Sequence, residues 1–264
     1  MRPAAVAALL LALLSCQAPP SSDPPLATLF AGWYGYDQSS GECLGGLGSY
    51  HWNDTPSTAG VVYRPFLGYY CSAAPEVVAW QLEQIQQAGI KVILYSWWGW
   101  GDTDLDGHVD GHLDQQINRA LTEILDQIHR DDIDLKVALL VEPFTLTQAR
   151  IPPDQLNGQQ MLMVLDHVWE RYYSRYAPNM FHWDGRPLLV VFDPMRIPKD
   201  GRFTIRHWTG RPKDQHTVAG GWDWFFAPPQ DILEARSEDG VVFVYPRYDE
   251  RYICDAGTDF IPCD

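Results

Sequence analysis

Residues Lys91 to Asp110 read KVILYSWWGWGDTDLDGHVD. The stretch opens as an apolar run, Lys91-Val92-Ile93-Leu94-Tyr95, rich in the β-branched and aromatic residues that suit a buried strand. It then turns abruptly into Ser96-Trp97-Trp98-Gly99-Trp100-Gly101, and the carboxylates Asp102, Asp104, Asp106 and Asp110 follow. A strand that ends in tryptophans, glycines and acids has left its core and entered a site. Indole faces beside hydrogen-bonding acids suit a flat, polar ligand with both C–H faces and hydroxyls, which is sugar chemistry.

The same construction recurs on either side. Leu135 to Val141, LKVALLV, is a continuous apolar run that ends in Glu142-Pro143-Phe144. Pro187 to Phe192, PLLVVF, ends in Asp193-Pro194. Leu26 to Tyr34, Phe203 to Trp208 and Val241 to Tyr245 read as further strands, and Trp222 to Phe226 as an aromatic loop. Helices lie between them. One is expected over Pro75 to Ala88, with Pro75 in its first turn, Val78, Leu82 and Ile85 on one face and Gly89 at its stop. Asp114 is expected to cap a second, whose stripe is Ile117, Ala120, Leu121, Ile124, Leu125 and Ile128. A third is expected from Pro153 to Tyr176, with Leu162, Leu165, Trp169, Tyr172 and Tyr176 inward.

Solid apolar strands alternating with helices predict a parallel α/β fold. No GxGxxG follows the first strand, which argues against a doubly wound nucleotide-binding sheet. Strands that end in polar and aromatic residues point instead to a (β/α)8 TIM-type barrel, whose sites lie at the C-terminal strand ends. About six strands are visible rather than eight, so the barrel is expected to be incomplete at its C-terminus.

The 264 residues carry a formal charge of −15, which argues against binding to a phosphate backbone. Residues 1–15 read as a signal peptide: Arg2, an apolar run, then small residues. Leu13-Leu14-Ser15-Cys16 resembles a lipoprotein box with Cys16 as the lipidated residue, and residues 16–25 read as a Pro- and Ser-rich tether. Residues 26–264 are then the barrel domain. An exported protein is expected, either a bacterial cell-envelope lipoprotein or a secreted one. It would be a monomer, touching membrane only through Cys16. The even count of Cys43, Cys71, Cys254 and Cys263 suggests disulfides. Three pairings are open; closeness in sequence favours Cys43 with Cys71 and Cys254 with Cys263.

Glu142 is the leading candidate for chemistry, because a carboxyl at the rim of a buried strand is placed for acid–base work or for sugar hydroxyls. Asp193 stands equivalently on its strand, and the two are the candidate catalytic pair for glycoside hydrolysis. Tyr34, Tyr36, His51, Trp52, Trp97, Trp98 and Arg206 are candidate substrate contacts, although at least one of the tryptophans is expected to cap the core. No cofactor is required, but calcium is a candidate ligand: Asp102, Asp104, Asp106 and Asp110 match the early positions of a calcium loop. Leu113 occupies the position where that loop has a bidentate Glu. No GxSxG, HExxH or P-loop occurs, which argues against α/β-hydrolase, zincin and NTPase chemistry.

Several motifs in order resemble glycoside hydrolase family 99. They are Trp33-Tyr34, His51-Trp52, Pro65-x-Leu67-Gly68-x-Tyr70-x-Ser72, Ala88-Gly89-Ile90 and Ser96-Trp97-Trp98-Gly99, followed by Leu135-Lys136-Val137-Ala138, Glu142-Pro143-Phe144, Gly185-Arg186-Pro187 and Phe192-Asp193. The resemblance implies a (β/α)8 barrel and endo-acting α-mannosidase chemistry that retains configuration, with the sugar's own 2-hydroxyl as nucleophile. It places Tyr34 or Tyr36, Trp97 or Trp98, and Glu142 along the substrate subsites. Phe144 stands where the family usually has Tyr. The family's two working glutamates lie in an Asn-Glu-Trp-His-Glu-Gly-like segment that has no counterpart among these residues. The expected function is therefore glycoside hydrolysis of α-mannoside-type glycans, with a non-catalytic glycan-binding surface lipoprotein as the alternative. A calcium-stabilised surface domain without a sugar site is the third reading.

Overall fold

The computed structural model describes residues 25–37, 40–46, 49, 66–99, 112–142, 158–192, 198–209 and 221–223. Its strands are β1 (Ala27–Phe30), β2 (Val92–Trp97), β3 (Lys136–Val141), β4 (His182–Trp183), β5 (Arg186–Phe192), β6 (Thr204–Thr209) and β7 (Gly221–Asp223). Its longer helices are α1 (Pro75–Gln87), α2 (His112–Arg130) and α3 (Gly158–Val168). The sheet order is β1-β2-β3-β5-β6-β7, and each neighbouring pair is parallel. The strands lie side by side in chain order, without the reversal that marks a doubly wound sheet.

All three helices pack on one face. Val78 and Leu82 of α1, Ile117, Leu121, Ile124, Leu125 and Ile128 of α2, and Met161, Val164, Leu165 and Val168 of α3 share one core with Ile93, Tyr95 and Trp97 of β2 and with Val137, Leu139 and Val141 of β3. The five large aliphatics of α2 are fully buried; together they contribute on the order of 10 kcal/mol of hydrophobic stabilisation. The other face carries a second cluster, Leu94, Ala138, Leu140, Leu188 and Val190. Helices on one face and strands in chain order are the winding of a β/α barrel. Among the described residues the sheet is open, running from β1 to β7. None of the described helices is long and apolar enough to cross a membrane.

The structure corrects the sequence reading in five places. β2 runs two residues past Tyr95, which makes Trp97 a strand residue. α2 begins at His112, so Asp114 lies in its first turn and is not its cap. After α3 the chain passes into a π-helical turn, Trp169–Tyr173, with Ser174 N–H bonded to Trp169 O at 2.9 Å. The extra residue shifts the buried stripe: Leu162 is 43% exposed, while Met161, Val164, Leu165, Tyr172 and Tyr173 are buried. Trp222 and Asp223 belong to a strand, β7, rather than to a loop. Finally, a short hairpin joins β4 to β5. Its two turn residues, Asp184 (φ 53°) and Gly185 (φ 77°), are both left-handed, as a type I′ turn demands. The expected strand Val241–Tyr245 lies outside the described residues.

Candidate functional site

Side chains alternate along a strand, so Leu94 and Ser96 of β2 face away from the helices while Tyr95 and Trp97 face them. Trp98 comes next, just past the strand. On β3, Ala138 and Leu140 face the same way as Ser96, and Glu142 follows directly after the strand. Ser96 is paired with Leu140 in the register, and Glu142 N–H donates to Trp97 O at 2.9 Å. The parallel ladder therefore brings the β2 and β3 exits to one level. There the Trp98 indole N–H donates to Ser96 Oγ at 3.1 Å, and the Ser96 hydroxyl donates to Glu142 Oε1 at 2.9 Å.

Glu142 keeps some contact with solvent, yet crowding around the carboxyl strips away most of its hydration. Burial pushes its pKa up to about 7, and the Ser96 hydrogen bond partly opposes the rise by favouring the charged form. A carboxyl with this pKa is present in both protonation states near neutrality, as acid–base work requires. Trp98 is buried and lies against Trp33, which follows β1, with ring centroids 4.4 Å apart at 50°. The exits of β1, β2 and β3 thus supply Trp33, the Ser96–Trp98 pair and Glu142 in adjacent positions.

The chain after β1 is held by a second set of contacts. Tyr34 N–H donates to Ser72 Oγ at 3.0 Å and Ser72 N–H to Tyr34 O at 2.9 Å. The Tyr34 ring meets Tyr70 edge-on, with centroids 6.2 Å apart. Cys43 and Cys71 form a disulfide with Cα atoms 5.5 Å apart. Gly35 (φ 85°) sits so close to this second strip of chain that a Cβ would meet Tyr70 O at 2.1 Å, so only glycine fits. Beside the disulfide, Leu44, Leu67, Tyr69, Tyr70 and Glu76 line a groove of about 390 Å³.

The expected contacts divide accordingly. Glu142, Trp98 and Tyr34 lie at the strand exits. Trp97 is corrected to a core residue: it is wholly buried, and its indole donates to Asn118 Oδ1 at 2.8 Å. Tyr36 is likewise core, its hydroxyl donating to Gly32 O at 2.5 Å and to Gln116 O at 3.2 Å. Arg206 shares a sheet face with Val190, its register partner, but pairs with Asp184 (3.2 Å) in the turn that precedes β5, at the opposite end of the sheet from Glu142. His51, Trp52, Asp102, Asp104, Asp106, Asp110, Asp193, Cys16, Cys254 and Cys263 lie outside the described residues. Among the described residues no three His, Cys, Asp or Glu gather in a metal-binding group. The sequence reading did not single out Ser96, Trp33 or Tyr70 as site residues. For Ser96 the signal was present: Leu94, Ser96 and Trp98 are spaced by two.

The family model of glycosyl hydrolase family 99 matches residues 44–206, more than half of the chain. This chain belongs to glycosyl hydrolase family 99. The family 99 match contains Ser96, Trp98 and Glu142. Among curated proteins, the rat glycoprotein endo-alpha-1,2-mannosidase (Rattus norvegicus) is 25% identical over 195 residues, covering 64% of this chain and 37% of the relative. The mouse protein of the same name (Mus musculus) is 24% identical over 193 residues, covering 64% of this chain and 36% of its own length. The family 99 chain therefore spans little more than a third of these relatives. Among solved structures, a family 99 endo-alpha-mannosidase from Bacteroides thetaiotaomicron in complex with bis-tris-propane is 19% identical, with a TM-score of 0.49, covering 73% of this chain and 54% of that one.

Proposed function

We propose that this family 99 protein hydrolyses α-mannosidic bonds inside glycans and that Glu142 touches the substrate. The observation that carries the reading is the Glu142 carboxyl at the exit of β3, held by Ser96, backed by the Trp98–Trp33 pair and titrating near neutrality. The names of the curated relatives support the mannoside class. In this reading hydrolysis retains configuration, as the family implies. Glycoside hydrolysis commonly uses a second carboxyl, and Asp193, immediately after β5 on the strand next to β3, is the proposed partner. We also propose export with a lipid on Cys16; the Cys43–Cys71 disulfide suits an oxidising compartment. Loss of membrane-fraction protein in Cys16→Ser would support the anchor, and unchanged fractionation would remove it.

The test is incubation of the purified chain with α-1,2-linked mannosyl oligosaccharides, reading released product and its anomeric configuration by NMR. Turnover is expected, and Glu142→Gln should lower kcat/KM on the order of 100-fold. Glycan binding without any product would establish the alternative, a non-catalytic glycan-binding protein. Neither binding nor turnover would overturn both readings.

A further inference from the structure

We infer that Asn118 is a positioning residue of the Glu142 site, fixing the exit of β2 so that the Trp98 indole meets Ser96. Asn118 lies on α2, away from the carboxyl, and grips β2 on both sides of Trp98. Its Oδ1 accepts the Trp97 indole N–H at 2.8 Å, and its Nδ2 donates to Gly99 O at 2.6 Å. Tyr172 O–H also donates to Oδ1. His167 of α3 stacks on Trp97 with centroids 6.0 Å apart and meets Tyr172 edge-on at 6.4 Å, closing the other side of the cluster.

Trp98 is thus strung between two anchored neighbours. Trp97 is pinned into the helix-side core. Gly99 adopts φ 107°, a backbone that L side chains rarely accept, and its carbonyl is turned toward Asn118. With both flanking residues fixed, Trp98 is held at the rim of the same core cluster, where its indole N–H reaches Ser96. The preceding residues of α2 act in the same direction. Ile117 O accepts the Tyr95 hydroxyl at 2.7 Å, and Gln116 O accepts the Tyr36 hydroxyl at 3.2 Å. Three successive residues of one helix therefore hold the β2 exit and the chain that follows β1. Asn118 is the one of the three that does so with its side chain, and so the one that substitution addresses.

The inference rests on the functional reading of Glu142 only where turnover is measured; the geometry itself is tested spectroscopically. The full chain is labelled with fluorotryptophan, the Trp98 ¹⁹F resonance is assigned with Trp98→Phe, and its shift is followed across neutral pH. In wild type the resonance should report the Glu142 titration through Ser96. Asn118→Leu should displace the resonance, move its titration midpoint, and lower kcat about tenfold with little change in KM, the pattern of a misplaced but intact site. Tyr172→Phe removes a bond to the same Oδ1 but leaves both grips on β2; it should lower Tm without moving the resonance or its midpoint. If Asn118→Leu does not fold, Asn118→Asp, which keeps the Trp97 acceptor and removes the donor to Gly99 O, is read in the same way. The inference falls if the Asn118 variant lowers Tm as Tyr172→Phe does and leaves the Trp98 resonance and its midpoint at their wild-type values. Displaced resonance in a chain that shows no turnover keeps the inference and removes only the hydrolase reading.

Discussion

Glu142 binds its proton more tightly in the folded chain than in the unfolded one, and that difference enters the stability. Its pKa is about 7 when folded, against a reference value of 4.5. Between those values the native state holds more protons, so stability falls as pH rises. The contribution is fully present below about pH 4.5 and is lost as pH rises through about 7. The shift, about 7 less 4.5, corresponds to on the order of 3 kcal/mol. Glu142→Gln, which carries no charge at any pH, should therefore melt at a higher temperature than wild type above about pH 8 and gain little below about pH 4.5; paired thermal scans check this. A variant that loses stability most at high pH would contradict it. The Ser96 hydroxyl favours the ionised form, so Ser96→Ala should raise the Glu142 midpoint further. The carboxyl was legible in the sequence because an acid directly after LKVALLV has only the strand's end to occupy. Its partner was not, because Ser96-Trp97-Trp98-Gly99 reads as the start of a loop. Only the pairing of Ser96 with Leu140 and of Trp97 with Val141 shows that the strand continues.

At the scale of elements, the buried face of α2 was legible, though its start was not: its stripe at i, i+3, i+4 and i+7 predicts the residues that are buried. α3 was not, because a helical wheel assumes one pitch and the π turn after Val168 changes it. The consequence is measurable. Leu162→Ala should cost little, under about 0.5 kcal/mol, because the side chain is exposed. Leu165→Ala should cost about 2–5 kcal/mol, because it leaves a cavity in a closed core. Denaturant melts of the two variants distinguish this register from an unbroken helix with both leucines inward, which predicts similar losses. The β4–β5 hairpin was also within reach of the sequence, since Asp184-Gly185 is a standard two-residue turn pair. The strand before it is only His182–Trp183, too short to show an alternating pattern.

For the molecule as a whole, the class was legible because solid apolar runs alternating with helices leave few arrangements other than a parallel sheet. The barrel reading also implies strands in chain order, as found; the residue-by-residue register was not legible, because pairing joins residues far apart in sequence. The Cys43–Cys71 crosslink, the pairing favoured from sequence, closes a 28-residue span between β1 and α1. Constraining the unfolded chain by a loop of that size is worth about 3–4 kcal/mol. Reduction, or Cys43→Ser, should shift the denaturant midpoint by a matching amount, and an unchanged midpoint would show that the loop is held without the crosslink. The parallel sheet also sets a direction. β1 and β3 run the same way, and Glu142 stands where β3 ends, so the chain leading into Ala27 meets the sheet at the end away from Glu142. If Cys16 carries the lipid proposed above, the tether would join the molecule at the end of the sheet opposite Glu142, so that anchoring leaves the carboxyl's end of the sheet unattached.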